Sequence, residues 1–169
     1  MNAIISVYNK TGIAAFAAAL QERGIALIAT DGTARVLAQC GVPVTTVADF
    51  TGSPELLGGL VKTLHPRIHA AIATGEITMV VVNLIPPGDG TGKPLAKMDI
   101  GGVALLRAGI KNFDQVVVIT DPAQYDAVLK ELESSEELPR DTKLRLAKEA
   151  IRYLLIYDSR IAMLLEQRI

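Results

Sequence analysis

The chain has 169 residues, of which 50% are hydrophobic and 21% are charged, and its formal net charge is −1. A chain of this length and composition is not an intrinsically disordered polypeptide, and we expect one folded domain over residues 1–169. The near-neutral charge gives no electrostatic reason to expect binding to nucleic acid or to an anionic membrane surface.

Strand-like and helix-like segments alternate along the sequence. The predicted strands are residues 3–7, 25–29, 42–47, 79–83 and 116–120. Helical patterns lie between them, beginning with residues 11–24 and including residues 101–112. This alternation is typical of a mainly parallel sheet covered by helices, so the fold class is predicted to be α/β, a three-layer α/β/α sandwich.

The last predicted helix begins near Asp141 and has an unusually wide apolar face. Apolar residues recur at steps of three and four, and the face broadens after Tyr153. A helix that is apolar on two sides has a second surface to cover. We therefore expect a homodimer.

The cysteine content and the apolar runs bear on the compartment. The only cysteine, Cys40, excludes an intrachain disulfide, and residues 1–10 do not form a basic segment followed by a signal-type apolar core. No apolar run reaches the roughly 18 residues that a membrane helix needs. We expect a cytoplasmic protein without membrane insertion.

Polar residues follow three of the predicted strands. Lys10 and Thr11 follow the first, residues 30–33 the second, and Asn83 ends the fourth. In an open α/β sheet, ligands bind beyond the carboxyl ends of the strands, where helix N-termini bind anions. Thr11 and Thr33 also fit the ordinary role of a helix cap, and the sequence leaves both interpretations open.

The segment Lys62-Thr63-Leu64-His65-Pro66 places a lysine, a hydroxyl and an imidazole within five residues. Lysines are ordinarily solvated, but this density of groups that exchange protons favours a site. His65 and His69 are spaced i, i+4 and could hold a metal ion, yet the sequence offers no evident third ligand. We expect structural roles for both histidines, and no metal.

A second cluster is Met98-Asp99-Ile100-Gly101-Gly102. Its carboxylate comes just before a predicted helix, so Asp99 is either a helix cap or an acid/base group. The helix continues to Arg107 and Lys111. The sequence leaves Arg107 with either a site role or a structural ion pair.

In this order, these segments resemble the IMP cyclohydrolase family. That family has a methylglyoxal-synthase-like fold, and its members are usually fused to an AICAR transformylase domain. The matching segments are residues 6–12, 30–34, 58–66, 82–84, 98–102 and 157–158. The resemblance implies dehydrative ring closure of 5-formamidoimidazole-4-carboxamide ribonucleotide (FAICAR) to inosine 5′-monophosphate (IMP), the last step of purine biosynthesis. It implies no cofactor, a homodimer, and a transformylase as fused domain or partner.

The same resemblance implies a role for each candidate residue. Lys62 and Asp99 would share the proton transfers, Thr63 would position the substrate, and Lys111 would hold the oxyanion. The substrate and its 5′-phosphate would be bound by Lys10, Thr11, Thr30, Gly32, Thr33, Asn83, Ile100 and Gly101.

Two positions depart from the family pattern. Asp31 stands where the family usually has glycine, and Ile85 stands where it normally has tyrosine. A carboxylate near a phosphate weakens binding unless it points into water, and a lost hydroxyl removes one polar group from the pocket. We therefore expect slower turnover.

Two alternatives to the enzyme remain open. One is a non-catalytic nucleotide- or phosphometabolite-binding domain of the same fold, which Ile85 and Asp31 favour. The other is methylglyoxal synthase, a lyase acting on dihydroxyacetone phosphate, which the Lys62 and Asp99 clusters disfavour.

Overall fold

The computed structural model describes residues 1–54, 62–88 and 95–167, and it places five strands in one parallel sheet. The strands are β1 (Asn2–Val7), β2 (Ala26–Ala29), β3 (Thr45–Thr46), β4 (Ile77–Asn83) and β5 (Val117–Ile119). Their spatial order is β3-β2-β1-β4-β5, and every neighbouring pair is parallel. The predicted parallel α/β sheet is confirmed.

Helices cover both faces of the sheet. They are α1 (Ile13–Glu22), α2 (Asp31–Gln39), α3 (Val47–Thr51), α4 (Pro66–Ala73), α5 (Gly101–Lys111), α6 (Tyr125–Ser134) and α7 (Arg140–Glu166), with a 3₁₀ turn at Pro122–Gln124. Within the described parts of the chain, no helix is both long and apolar enough to cross a membrane.

Strand alternation produces two separate cores, one on each face. Successive side chains of a strand point to opposite faces, so Ala3 and Ile5 join one core while Ile4 joins the other. The first core packs under α1, α2 and α6 and takes Leu146 from α7, whereas the second packs under α3, α4, α5 and the rest of α7. The predicted three-layer sandwich is confirmed.

The prediction of a strand over residues 42–47 is wrong for most of that segment. Only Thr45–Thr46 pairs with β2, and Val47 begins α3. At the start of the segment, the Val42 N–H donates to the Leu37 carbonyl at 3.0 Å at the end of α2, and Pro43 has no N–H to give to the sheet. At its end there is a helix cap, because the Thr46 hydroxyl accepts the backbone N–H of Asp49 at 3.0 Å. The β-branched composition indicated a strand, but the cap three residues before Asp49 ends it early.

The strand order contains a switch point between β1 and β4. From β1 the chain adds β2 and β3 on one side and then β4 and β5 on the other. Val7 and Asn83 are paired at the carboxyl ends of these two central strands. In open α/β sheets the ligand crevice lies at such a switch point.

Candidate active site

A pocket opens at the carboxyl ends of the strands, at the switch point. All the residues predicted for the site line this pocket except Thr11 and Lys111. The predicted residues in the lining are Lys10, Thr30, Gly32, Thr33, Lys62, Thr63, Asn83, Asp99, Ile100 and Gly101. The loops that follow β1, β2 and β4 therefore meet the segments that precede α4 and α5.

The pocket is lined by more positive than negative charge. Among its described residues, Lys10, Lys62 and Lys97 face a single carboxylate, Asp99. Burial lowers the pKa of Lys10, and the nearby positive charge of Lys62 lowers it further. Cations held this close together are matched to a ligand with more than one negative charge, such as a phosphate dianion.

The loop between β2 and α2 forms one wall of the pocket. Thr30 and Thr33 are buried, and the Thr33 hydroxyl accepts the Val7 backbone N–H at 3.3 Å. The N-terminus of α2 lies in this wall, and the positive end of its helix dipole makes it suited to an anion. Asp31 is exposed and does not line the pocket, although its neighbours Thr30 and Gly32 do.

Asn83 fixes the loop between β1 and α1. Its side-chain oxygen accepts the backbone N–H groups of Tyr8 at 2.6 Å and Asn9 at 2.7 Å, and its amide nitrogen donates to the Asn9 carbonyl at 3.1 Å. Lys10 donates to the Val7 carbonyl in the same loop. Asn83 therefore shapes the loop that carries Lys10.

Asp99 serves as a helix cap and also lines the pocket. One carboxylate oxygen accepts the Gly102 backbone N–H at 2.6 Å, and the other accepts the Ile85 N–H at 3.4 Å. The capping bond fixes the carboxylate at the N-terminus of α5. The two interpretations of Asp99 that the sequence left open are therefore compatible.

The two glycines after Asp99 are required by close packing. A Cβ on Gly101 would lie 2.2 Å from the Thr63 hydroxyl oxygen, and one on Gly102 would lie 2.7 Å from a methyl carbon of Leu84 and 2.8 Å from both Asp99 carboxylate oxygens. Only glycine allows these approaches without movement. The glycine pair thus brings buried Thr63 against the start of α5.

Sequence analysis gave no role in the site to two tyrosines on α7 that hold the pocket wall. Tyr153 accepts the Leu84 backbone N–H at 2.8 Å. Tyr157 accepts the Asp99 N–H at 2.8 Å and donates to the Ile85 carbonyl at 3.0 Å. Their i, i+4 spacing was a usable signal, since it places both hydroxyls on one face of a helix.

Thr11 lies in a neighbouring groove with Phe16 and Tyr125. Its hydroxyl donates to the Asn9 side chain at 2.7 Å. Lys111 lies in the last turn of α5, about 15 Å along the helix from the residues that follow Asp99. There an exposed cation interacts favourably with the carbonyl end of the helix dipole. The structure brings neither Thr11 nor Lys111 to the pocket, whereas it does bring Lys97, which the sequence analysis did not single out.

The remaining candidates have structural contacts. Arg107 forms an exposed ion pair with Asp158 at 3.3 Å, joining α5 to α7. His65 caps α4, because its ring accepts the Arg67 backbone N–H at 3.2 Å. Residues 58–61 of the matching segment lie outside the described residues.

Comparison with known proteins identifies the family. The model of the MGS-like domain matches residues 12–111, and that of the AICARFT/IMPCHase bienzyme matches residues 109–169. The chain belongs to the MGS-like domain family. Both matches fall within one sheet, since β5 from the second pairs with β4 from the first.

Two curated relatives are each described as a bifunctional purine biosynthesis protein PurH. The one from Halalkalibacterium halodurans is 41% identical over 95% of this chain, and the one from Anaeromyxobacter dehalogenans is 42% identical over 98%. The chain spans 36% of the length of each relative. A solved structure, the crystal structure of ForH, superposes with a TM-score of 0.87 at 35% identity, covering 98% of this chain and 97% of that one. The predicted family resemblance is confirmed.

Proposed function

We propose that this chain is an IMP cyclohydrolase domain that closes FAICAR to IMP. The observation that carries the proposal is a single pocket lined by Lys62, Thr63 and Asp99 together with the cationic and helix-terminal groups suited to a 5′-phosphate. The purine-biosynthesis relatives and the AICARFT/IMPCHase match over residues 109–169 support it.

The phosphate end of the substrate would bind between the loops that follow β1 and β2. Lys10 supplies a charge, and the N-terminus of α2 supplies the positive end of a helix dipole. Thr30 and Thr33 close this wall. Asp31 points its charge toward solvent, because it is exposed and the lining passes it by. This arrangement reduces the cost that we expected from Asp31.

The chemistry needs no redox partner. The carboxamide nitrogen attacks the formyl carbon of the same molecule, a C–N bond forms, and that nitrogen loses one proton. The formamide nitrogen loses a second proton when the ring C=N bond forms. The formyl oxygen gains both protons and leaves as water. Because both reacting groups belong to one molecule, the protein mainly fixes their geometry, moves protons and stabilises the oxyanion.

Asp99 is the group that we assign to proton removal from the carboxamide. Two backbone N–H groups hold its carboxylate in the pocket wall, so it is oriented before substrate arrives. Lys62 would protonate the departing oxygen. Lys97, the further lysine of the lining, takes the oxyanion role that the resemblance implied for Lys111.

We extend the proposal to partners. The relatives are named as bifunctional proteins and are longer than this chain, which supports an AICAR transformylase domain as the fused partner. Exposed apolar side chains on α7 support a homodimer; they are Ile151, Leu155, Ile156, Met163 and Leu165. Residues 1–169 would form one domain, since β5 and α7 complete the sheet and core that β1 begins. The purine-biosynthesis relatives support a cytoplasmic location for it.

The test is the ultraviolet absorbance of FAICAR incubated with purified chain, with dihydroxyacetone phosphate as a parallel substrate. We expect IMP to form faster than in buffer, no methylglyoxal, and loss of the acceleration in Asp99→Asn. If FAICAR cyclises no faster than in buffer while the chain still binds IMP, the chain is a non-catalytic nucleotide-binding domain and the enzyme proposal fails. Ile85, which lines the pocket without a hydroxyl, is the observation that favours this second candidate. Methylglyoxal formation would assign the lyase.

A further inference from the structure

Helix α7 supports the pocket wall through the hydroxyls of Tyr153 and Tyr157. It packs against α5 and β5 in the second core, where Tyr157 is buried and Tyr153 is half-buried. Neither tyrosine belongs to the described lining of the pocket. Their hydroxyls instead bond the backbone of the two segments that form its wall, residues 84–85 and Asp99.

Three hydrogen bonds join Tyr157, Ile85 and Asp99 in a closed ring. The Asp99 N–H donates to the Tyr157 hydroxyl, that hydroxyl donates to the Ile85 carbonyl, and the Ile85 N–H donates to the Asp99 carboxylate. The last bond, at 3.4 Å, is the longest of the three. The Asp99 carboxylate is therefore linked to α7 in two ways, through the backbone of Asp99 itself and through the backbone of Ile85.

We propose that Tyr157 is a positioning residue that sets the Asp99 carboxylate for ring closure by tying the segment after β4 to the segment before α5. The inference rests on the proposed function for its kinetic consequence, but the geometry that it asserts is independent of the substrate. Tyr153 supports the same wall one residue earlier, at Leu84.

The need for such a tie follows from the local backbone. The described residues after β4 and before α5, 84–88 and 95–100, belong to neither helix nor strand, so no strand or helix ladder within them fixes one segment against the other. A single hydroxyl that both accepts and donates can do so. Burial raises the pKa of Tyr157, the hydrogen bond from the Asp99 backbone lowers it, and the nearby Asp99 charge raises it again; the net shift is upward, so the hydroxyl keeps its proton to higher pH than an ordinary tyrosine.

The chain offers a matched control beside Tyr157. Asp158 follows it on α7 and forms the exposed ion pair with Arg107, which also joins α5 to α7. Asp158→Asn breaks a contact between the same two helices and leaves the ring intact. Exposed pairs of this kind contribute little to stability, so its effect should be small.

The first measurement is steady-state cyclisation of FAICAR by wild type, Tyr157→Phe and Asp158→Asn. We expect Tyr157→Phe to lower kcat roughly 10- to 100-fold, the scale of a small misplacement of a reacting group, with KM nearly unchanged. Asp158→Asn should keep the wild-type constants. An unchanged kcat in Tyr157→Phe, a higher KM at full kcat, or an equal loss in Asp158→Asn would overturn the inference.

The second measurement is amide hydrogen exchange by NMR in wild type and Tyr157→Phe. If the Tyr157 hydroxyl only accepts the Asp99 N–H and positions nothing else, Tyr157→Phe should alter exchange at Asp99 alone. A positioning role also speeds exchange at Ile85 and Gly102, whose N–H groups bond the carboxylate. If wild type leaves FAICAR unchanged, the proposed function fails, and exchange alone decides the positioning claim. Unchanged exchange at Ile85 and Gly102 would then overturn it.

Discussion

Gly101 and Thr63 approach so closely that a methyl group on Gly101 would lie 2.2 Å from the Thr63 hydroxyl oxygen. Thr63 is buried, so its side chain has little room to turn away. This contact joins the segment that carries Lys62 to the helix start that follows Asp99. The position of Lys62 relative to Asp99 therefore depends on the fact that glycine at position 101 has no side chain.

We predict that Gly101→Ala lowers the free energy of unfolding by about 1–3 kcal/mol, the usual cost of overpacking a buried site. Urea denaturation measures it. Thr63→Ala removes the colliding oxygen, so the double variant should recover part of the loss. Gly32→Ala is the control, because no atom lies within 4 Å of its added Cβ. Equal stability of Gly101→Ala and wild type would contradict the packing account.

We predict that raising the pH weakens IMP binding in both proteins, and that the loss begins at a lower pH in wild type than in Lys10→Arg. Burial, with the Lys62 charge as a second cause, lowers the pKa of Lys10. Lys10 therefore becomes neutral at a lower pH than an ordinary lysine, and a neutral amine attracts a phosphate dianion weakly. Arginine keeps its charge throughout. Calorimetric titration of IMP between about pH 7.5 and 10 tests this, and parallel profiles for the two proteins would exclude the Lys10 assignment.

We predict that Ile85→Tyr raises kcat for FAICAR. Ile85 lines the pocket beside Asp99, and a tyrosine there adds a hydroxyl near the reacting groups. Groups that assist proton transfer contribute roughly 10²-fold at the low end of their range. Ile85→Phe adds the ring without the hydroxyl and should give no gain. If both variants gain equally, the benefit comes from the ring and not from proton transfer.

We predict a homodimer through the exposed apolar face of α7. Leu155 and Ile156 are 61% and 54% exposed, and Met163 and Leu165 extend the same helix. Light scattering at micromolar concentration should give twice the chain mass of 18.0 kDa. Leu155→Glu combined with Ile156→Glu should give a monomer, while Lys148→Glu should not. A wild-type monomer at every dilution would contradict the prediction.

The sequence predicted the parallel sheet and most of the pocket because strand alternation and strand-end polar residues are local patterns. It missed the short extent of β3, since Val42 bonds the end of α2 and a cap at Thr46 begins α3. The family resemblance placed Lys111 in the site, whereas α5 carries it about 15 Å along the helix from Gly101. Sequence analysis gave Tyr157 no role, because the bonds that define its role join residues 58 and 72 positions apart.

The most direct test of the central claim is the rate of IMP formation from FAICAR by wild type and Lys62→Ala under saturating substrate. The account predicts catalysed cyclisation by wild type and, in Lys62→Ala, a rate close to that in buffer, with a fold confirmed by circular dichroism. Lys62→Arg, which keeps the charge but donates its proton poorly, should also be slow. Full turnover in Lys62→Ala, or no turnover in wild type, would contradict the account.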